Sequence, residues 1–358
     1  MFEMTNAQRR CLALEEIPPS WTRLALPRSK YDAFDTVLYL DGDIIRRRIC
    51  SGPDLFEEAE LFVRVSDDMI LPQTAAGKPI KLTAASIAKR PPSGVWLSWS
   101  GRHVDLFCET SQCSYYNTDF EADSPKTEEE FAAWVKEWCE ETDEQDLADL
   151  AEWKARTQQH VRVREGDVFR FKLSRRLYGY GRVVLDYGAL KKRKIPHMPL
   201  FMGKPLICSI YHLVTPRRDV TLEELRECTA LPSKPMMDNK LYYGEYEVIG
   251  NLPVEPDADY PIHYGRSTDL REGGAMLQRG THFVHLPDAT VLYRGHELRS
   301  IGFAPDFIDH PMLYRCMDAK SNAPYWERDI HPLLADLRHP ANAKKRHEIG
   351  RQMNINLP

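Results

Sequence analysis

Cys208 and His212 are the first residues whose types could do chemistry together, because a thiolate beside an imidazole is a nucleophile with its base. Both lie in Pro205 to Val214 (PLICSIYHLV), the most continuous apolar run of the chain, which reads as a buried strand. Four steps along a strand separate them by roughly 13 Å. That is beyond hydrogen-bond reach, so the dyad fails within the strand. His282 and His285 form an HxxH pair that could ligate a metal from a helix. In the strand expected from Thr281 to Leu286, positions three apart point to opposite faces. Gly179, Gly181 and Gly188 do not make the GxGxxG pattern, and no GKS or GKT follows a glycine loop, so phosphate cradling lacks its backbone device. Glu140 and Glu141 have nothing around them that would split their pKa values for acid and base roles.

Two basic or aromatic stretches remain. Arg46 to Arg48 could mark an anion site, but strand neighbours diverge and cannot converge without a bulge. The expectation is a solvated edge where charge deters strand pairing. Tyr178 to Val184 (YGYGRVV) approaches the aromatic strand that stacks bases in RNA-recognition domains. Tyr178 stands where that motif wants Lys or Arg, and Arg182 where it wants an aromatic. With Arg175 and Arg176 beside it, the hairpin 175–184 supports an alternative reading as a nucleic-acid-binding protein. The competing expectation is that both tyrosines pack against the neighbouring sheet. No catalytic, cofactor-binding or metal-binding residue emerges, and the expectation is a non-enzyme without cofactor or small-molecule substrate.

The element that positions the aromatic stretch is a hairpin, Glu165 to Tyr187. Phe169, Phe171 and Leu173 alternate with Arg170 and Lys172, the period of a half-buried strand. Gly179 and Gly181, two apart on the returning strand, leave room for a bulky neighbour. Earlier in the chain, Thr36 to Leu40, Asp41-Gly42-Asp43 and Ile44 to Ile49 read as strand, turn and strand. Leu61 to Val65, Gly94 to Trp99 and Val104 to Phe107 read as further strands, and Ala84 to Lys89 as a helical turn. Thr127 and Glu130 form a capping box opening a helix with Phe131, Trp134, Val135 and Trp138 at helical spacing. A second helix places Leu147, Leu150 and Ala151 on one side. The carboxylates from Glu137 to Glu152 read as the solvated face of a helical connector. Thr221 and Glu224 cap a short helix over Leu222 to Cys228. Leu241 to Gly250 (LYYGEYEVIG) reads as an alternating strand, with strands also at Thr290 to Tyr293 and Ser300 to Phe303, a helix at Phe307 to Met317 and another in the tail. Lys191 to Lys194 reads as an exposed loop.

The 358 residues suggest two domains. A composition 42% hydrophobic and 28% charged is that of a folding chain, and a net charge of −5 lacks the basic excess of a general nucleic-acid or membrane-surface protein. The opening MFEMTNAQRRCLALEEIPP fails as a signal peptide, and no run approaches the ~20 apolar residues of a membrane span. The eight cysteines contain no CxxC pair, which suits reduced thiols in a cytoplasmic protein.

At the hairpin the chain resembles the immunity protein 26 family of bacterial polymorphic toxin systems. The resemblance rests on GDVFRFKL (with Gly166, Asp167 and Phe169), LYGYGRVV (Tyr178, Gly179, Tyr180, Gly181 and Arg182), FMGKPLICSIYHLVT (Gly203, Lys204 and Pro205) and MMDNKLYYGEYEVIGNLPV (Tyr242, Tyr243, Gly244 and Glu245). These span about Val161 to about Met317. The resemblance implies a mostly β, non-enzymatic domain that binds and blocks a cognate toxin, with no catalytic residues and no assigned toxin-binding residues. The expected fold class is α+β: an N-terminal small sheet with helices, then a mostly β domain with an SH3-like barrel as the form its hairpin-first order suggests. The expected boundaries are 1–158 for an α+β region ending in the acidic helical connector, 159–320 for the immunity protein 26-like domain, and 321–358 for a tail with a helix. The expected partner is the toxin protein encoded beside it, with no membrane and no nucleic acid.

Overall fold

A computed structural model describes residues 2–28, 33–101, 103–118, 124–198, 203–228, 230, 233–255, 260, 262–266, 273–293, 337 and 340–357. The expected strand Ser300 to Phe303 and helix Phe307 to Met317 lie outside these residues. The chain forms two compact units, Met1–Gln159 and His160–Pro358. Its class is α+β with mostly β content.

The first unit opens with helix α1 (Asn6–Arg10) and continues through strands β1 (Thr22–Ala25), β2 (Asp35–Asp41), β3 (Ile44–Gly52), β4 (Leu55–Ser66), β5 (Met69–Ile70) and β6 (Ile80–Lys81). Helix α2 (Ala84–Ile87), strands β7 (Val95–Trp99), β8 (Val104–Cys108) and β9 (Cys113–Asn117), and helices α3 (Glu128–Glu140) and α4 (Glu144–Lys154) follow. The main sheet runs β1-β2-β3-β4-β7-β8-β9, every pair antiparallel, with β5 and β6 appended to β4. Gly42, at φ +60°, turns β2 into β3 as the Asp-Gly-Asp signal requires.

Helices α3 and α4 are part of this unit's core rather than a connector. α3 buries Phe131, Val135 and Trp138, and Phe131 stacks on Trp99 of the sheet with ring centres 5.1 Å apart. Thr127 caps it through its side chain. The box is not closed, because the Glu130 carboxylate instead accepts from the Lys126 amide at 2.7 Å. α4 is capped by Asp143 and buries Asp146, Leu150 and Trp153, while Leu147 and Ala151 face outward. The expected apolar stripe is thus turned by about a quarter of a turn, since Trp153 outweighs Leu147 in apolar area.

The second unit contains β10 (Asp167–Lys172), β11 (Tyr178–Asp186), α5 (Tyr187–Lys192), β12 (Leu206–Thr215), α6 (Leu222–Arg226), β13 (Lys234–Met236), α7 (Asn239–Tyr242), β14 (Glu247–Asn251), β15 (Ile262–Arg266), β16 (Ala275–Arg279), β17 (His282–Leu286) and α8 (Ala343–Met353). One sheet has the order β13-β12-β11-β10-β14 and another β15-β16-β17, all antiparallel. Among the described residues neither sheet closes, so the SH3-like barrel is not formed. Leu241 to Gly250 is not one strand: its first residues end α7, and Gly244 at φ +78° reverses the chain into β14. Thr290 to Tyr293 runs outside any strand. Helix α8 does dock: Ile349 and Met353 are buried with Tyr264 and Leu277, and the Tyr264 hydroxyl donates to Gln352 at 2.6 Å.

Candidate recognition surface

The hairpin is built by exchange of size across its two strands. Phe169 pairs with Gly181 and Phe171 with Gly179. The rings occupy the glycines' missing side chains: a Cβ on Gly181 would stand 2.4 Å from Phe169 Cζ, and one on Gly179 would stand 2.5 Å from Phe171 Cζ. Tyr246 closes this face by stacking on Phe169 with ring centres 5.7 Å apart. The other face is covered as well. Tyr178 and Tyr180 are buried with Tyr211, Val220 and Leu225 beneath α6, whose capping box from Thr221 to Glu224 is complete. Tyr180 has 0% of its surface exposed, and its hydroxyl donates to the Arg217 carbonyl at 2.8 Å.

That burial removes the platform the base-stacking alternative depends on, because bases stack only on rings that present a face to solvent. Arg175 is buried too, and Arg182 donates to the Pro253 carbonyl at 3.2 Å. The expectation that the tyrosines pack in the sheet is what the structure shows.

The remaining motif residues divide by what they touch. Gly166, at φ +88°, brings the chain so close to Leu252 that a Cβ would lie 2.6 Å from its carbonyl oxygen. Asp167 is buried and accepts from the Arg164 amide and the Asn251 side chain, both at 2.8 Å. Together they fasten the start of β10 to the end of β14. Gly203, at φ +73°, precedes exposed Lys204 and buried Pro205. Tyr242, Tyr243, Gly244 and Glu245 lie where α7 turns into β14. Here Tyr242 is 38% exposed, His160 lies parallel to it with ring centres 4.8 Å apart, and Tyr243 meets it edge-on at 5.2 Å. Lys240 pairs with Glu245 at 2.7 Å beneath. The sheet beside this aromatic corner ends in β14, which among the described residues pairs with β10 alone.

The reactive-looking sets behave as bystanders. Cys208 and His212 are both buried on β12, and burial with no compensating cation pushes the Cys208 thiol up, the reverse of nucleophile activation. His285 meets the Gly273 carbonyl at 2.8 Å while His282 is exposed. Among the described residues no three His, Cys, Asp or Glu side chains gather as metal ligands.

The arginine run needs correction. β3 is a central strand, and Arg47 and Arg48 are buried, not solvated at an edge. The register slips between Ile45 and Arg47, so Arg46 and Arg47 both reach Glu15 while Arg48 points away. Arg47 lies 3.5 Å from Glu58 and 3.8 Å from Glu60, and Arg9 grips Glu58 through two nitrogens at 2.6 and 3.3 Å. Arg48 donates to the Ile87 carbonyl at 2.8 Å, closing the end of α2, and pairs with Glu57. The signal for this lies in Glu57-Glu58-Ala59-Glu60, an acidic run one hairpin away from the basic one.

A search of curated proteins and a search of solved structures each return no match. A scan against protein families matches residues 164–273 to the family described as Immunity protein 26. The match begins at the turn into β10, takes in the interleaved hairpin, β12 and Tyr242 and Tyr243 but not His160, and stops before β16, short of the span to Met317 that the motifs suggested. Over this segment the chain is similar to the Immunity protein 26 family.

Proposed function

We propose that the chain neutralises a toxin by binding it, without catalysis, and that its partner is the toxin encoded beside it in a polymorphic toxin system. The observation that carries this reading is the family match over residues 164–273. The arrangement of that segment supports it. The aromatic residues of its hairpin are spent on packing, its one buried thiol is held protonated, and Tyr242 is left part-exposed. The reading places the protein in the cytoplasm; no helix among the described residues is long and apolar enough to cross a membrane.

The contact surface we assign is the corner made by Tyr242, Tyr243 and His160. Tyrosines anchor interfaces because they bury large area while losing few rotamers, and such anchors dominate binding energy. The test is co-expression with the toxin from the neighbouring reading frame, followed by measurement of affinity. Rescue of growth and a stable complex are expected, and Tyr242→Ala should weaken the complex by about tenfold or more, or ~1.4 kcal/mol. Failure of the intact chain to rescue or to bind would sink the immunity reading. Rescue with unchanged affinity in the Tyr242→Ala chain would move the contact surface elsewhere.

A further inference from the structure

Cys108 and Cys113 stand directly opposite each other where β8 turns into β9. Both are buried, and as directly paired residues their side chains lie on one face of the sheet. Four residues connect them. The turn is held by the Gln112 amide donating to the Cys108 carbonyl at 2.9 Å, with Gln112 itself at φ +60°. Residues opposite each other in an antiparallel pair have Cα atoms about 4.5 to 5.5 Å apart. A disulfide requires about 4.4 to 6.8 Å. The register therefore places the two Cα atoms within the span a bridge needs, although the two sulfurs are not bridged. The part-buried Cys11, Cys139 and Cys228 lie outside the strands.

We infer that Cys108 and Cys113 are a disulfide site, closed by a small disulfide oxidant, that fastens β9 to β8, its one sheet neighbour among the described residues. In the first step one thiol loses its proton to solvent, and its thiolate attacks a sulfur of oxidised glutathione, expelling one glutathione thiolate. The second cysteine, deprotonated likewise, attacks the protein sulfur of that mixed disulfide and expels the second glutathione. Two protein thiols are oxidised by two electrons and one glutathione disulfide is reduced to two glutathiones. Because both sulfurs are buried, entry needs the edge hairpin to open, so closure is slow compared with capping of the part-buried thiols.

The test holds the full chain under native conditions in oxidised glutathione, blocks remaining thiols by alkylation, and maps peptides by mass spectrometry against time. The expected result is a peptide carrying both Cys108 and Cys113 that has lost two hydrogens and takes no alkyl group. Reduction with dithiothreitol should restore both alkylation sites. Persistence of both residues as alkylatable thiols after the part-buried cysteines are fully capped would overturn the inference. So would two separate glutathione adducts. The mapping needs no variant; Cys113→Ala serves as a check, leaving Cys108 either free or glutathionylated but never bridged within that peptide.

Discussion

The central strands of the two units solve the same packing problem by opposite means. In the first sheet, β3 and β4 carry charge into the interior. Arg47 has 0% exposure, Glu58 has 0%, and each charge is answered by another across the strand pair or from α1. In the second sheet, β10 and β11 carry rings and gaps, with two phenylalanines set into two glycines. The first solution is electrostatic and fails when one partner is removed, because the other is left charged and buried. The second is steric and fails when volume is added. The difference also bears on recognition. The hairpin of segment 164–273 is set mainly by shape, with Asp167 and the Arg170–Glu247 pair fastening β10 to β14, and Tyr242 is left part-exposed.

The largest expected effect comes from breaking the ionic side. Glu58→Ala should cost about 3 to 5 kcal/mol, since Arg9 and Arg47 lose their shared buried carboxylate. Six of the seven tryptophans precede residue 160, so their fluorescence during urea unfolding reports on this unit. A loss below about 1 kcal/mol would show that the cluster is not what holds β3 and β4. Replacing Arg9, Arg47 and Glu58 together by apolar side chains of similar volume should cost far less than Glu58→Ala alone, because no charge is then left unpaired.

On the steric side, Gly181→Ala should cost about 1 to 3 kcal/mol, the range for overpacking, because its methyl would meet both Phe169 and Ile210. Adding Phe169→Leu should return part of that loss, and the double-mutant cycle measures how much. Simple additivity of the two changes would mean the ring and the gap are not coupled.

The smallest effect sharpens the contrast at the surface. The Glu224 carboxyl is held down to about 2 by the Arg217 guanidinium and by the Thr221 amide and hydroxyl, against an ordinary 4.5. A depressed acid stabilises the fold above its unfolded pKa and gives that up as pH falls towards the folded one. The contribution is therefore complete above about pH 4.5 and fades towards pH 2. Carboxyl NMR titration should place Glu224 at about 2, well below the ordinary 4.5, and Arg217→Met should move it up. A midpoint near 4.5 in the intact chain would dissolve the contact.

Much of this was legible in the residues. Alternation set β10 and β11, the paired glycines announced a bulky neighbour, the long apolar run set β12, and the threonine and glutamate at 221 and 224 placed α6. Local rules suffice there, because each depends on side chains a few positions apart. The order of four motifs was enough to suggest the family of residues 164–273. Tertiary structure decided the rest. Whether Arg47 is solvated or buried depends on which strand lies beside it, and Glu57 to Glu60 reach it only through the sheet. Tyr180 and Tyr242 are alike as letters, yet α6 covers one and the turn before β14 presents the other. Burial belongs to the packed neighbours of a residue and not to its type, and so chemistry that looked available at 208, 178 and 180 was closed while a corner at 242 stayed open.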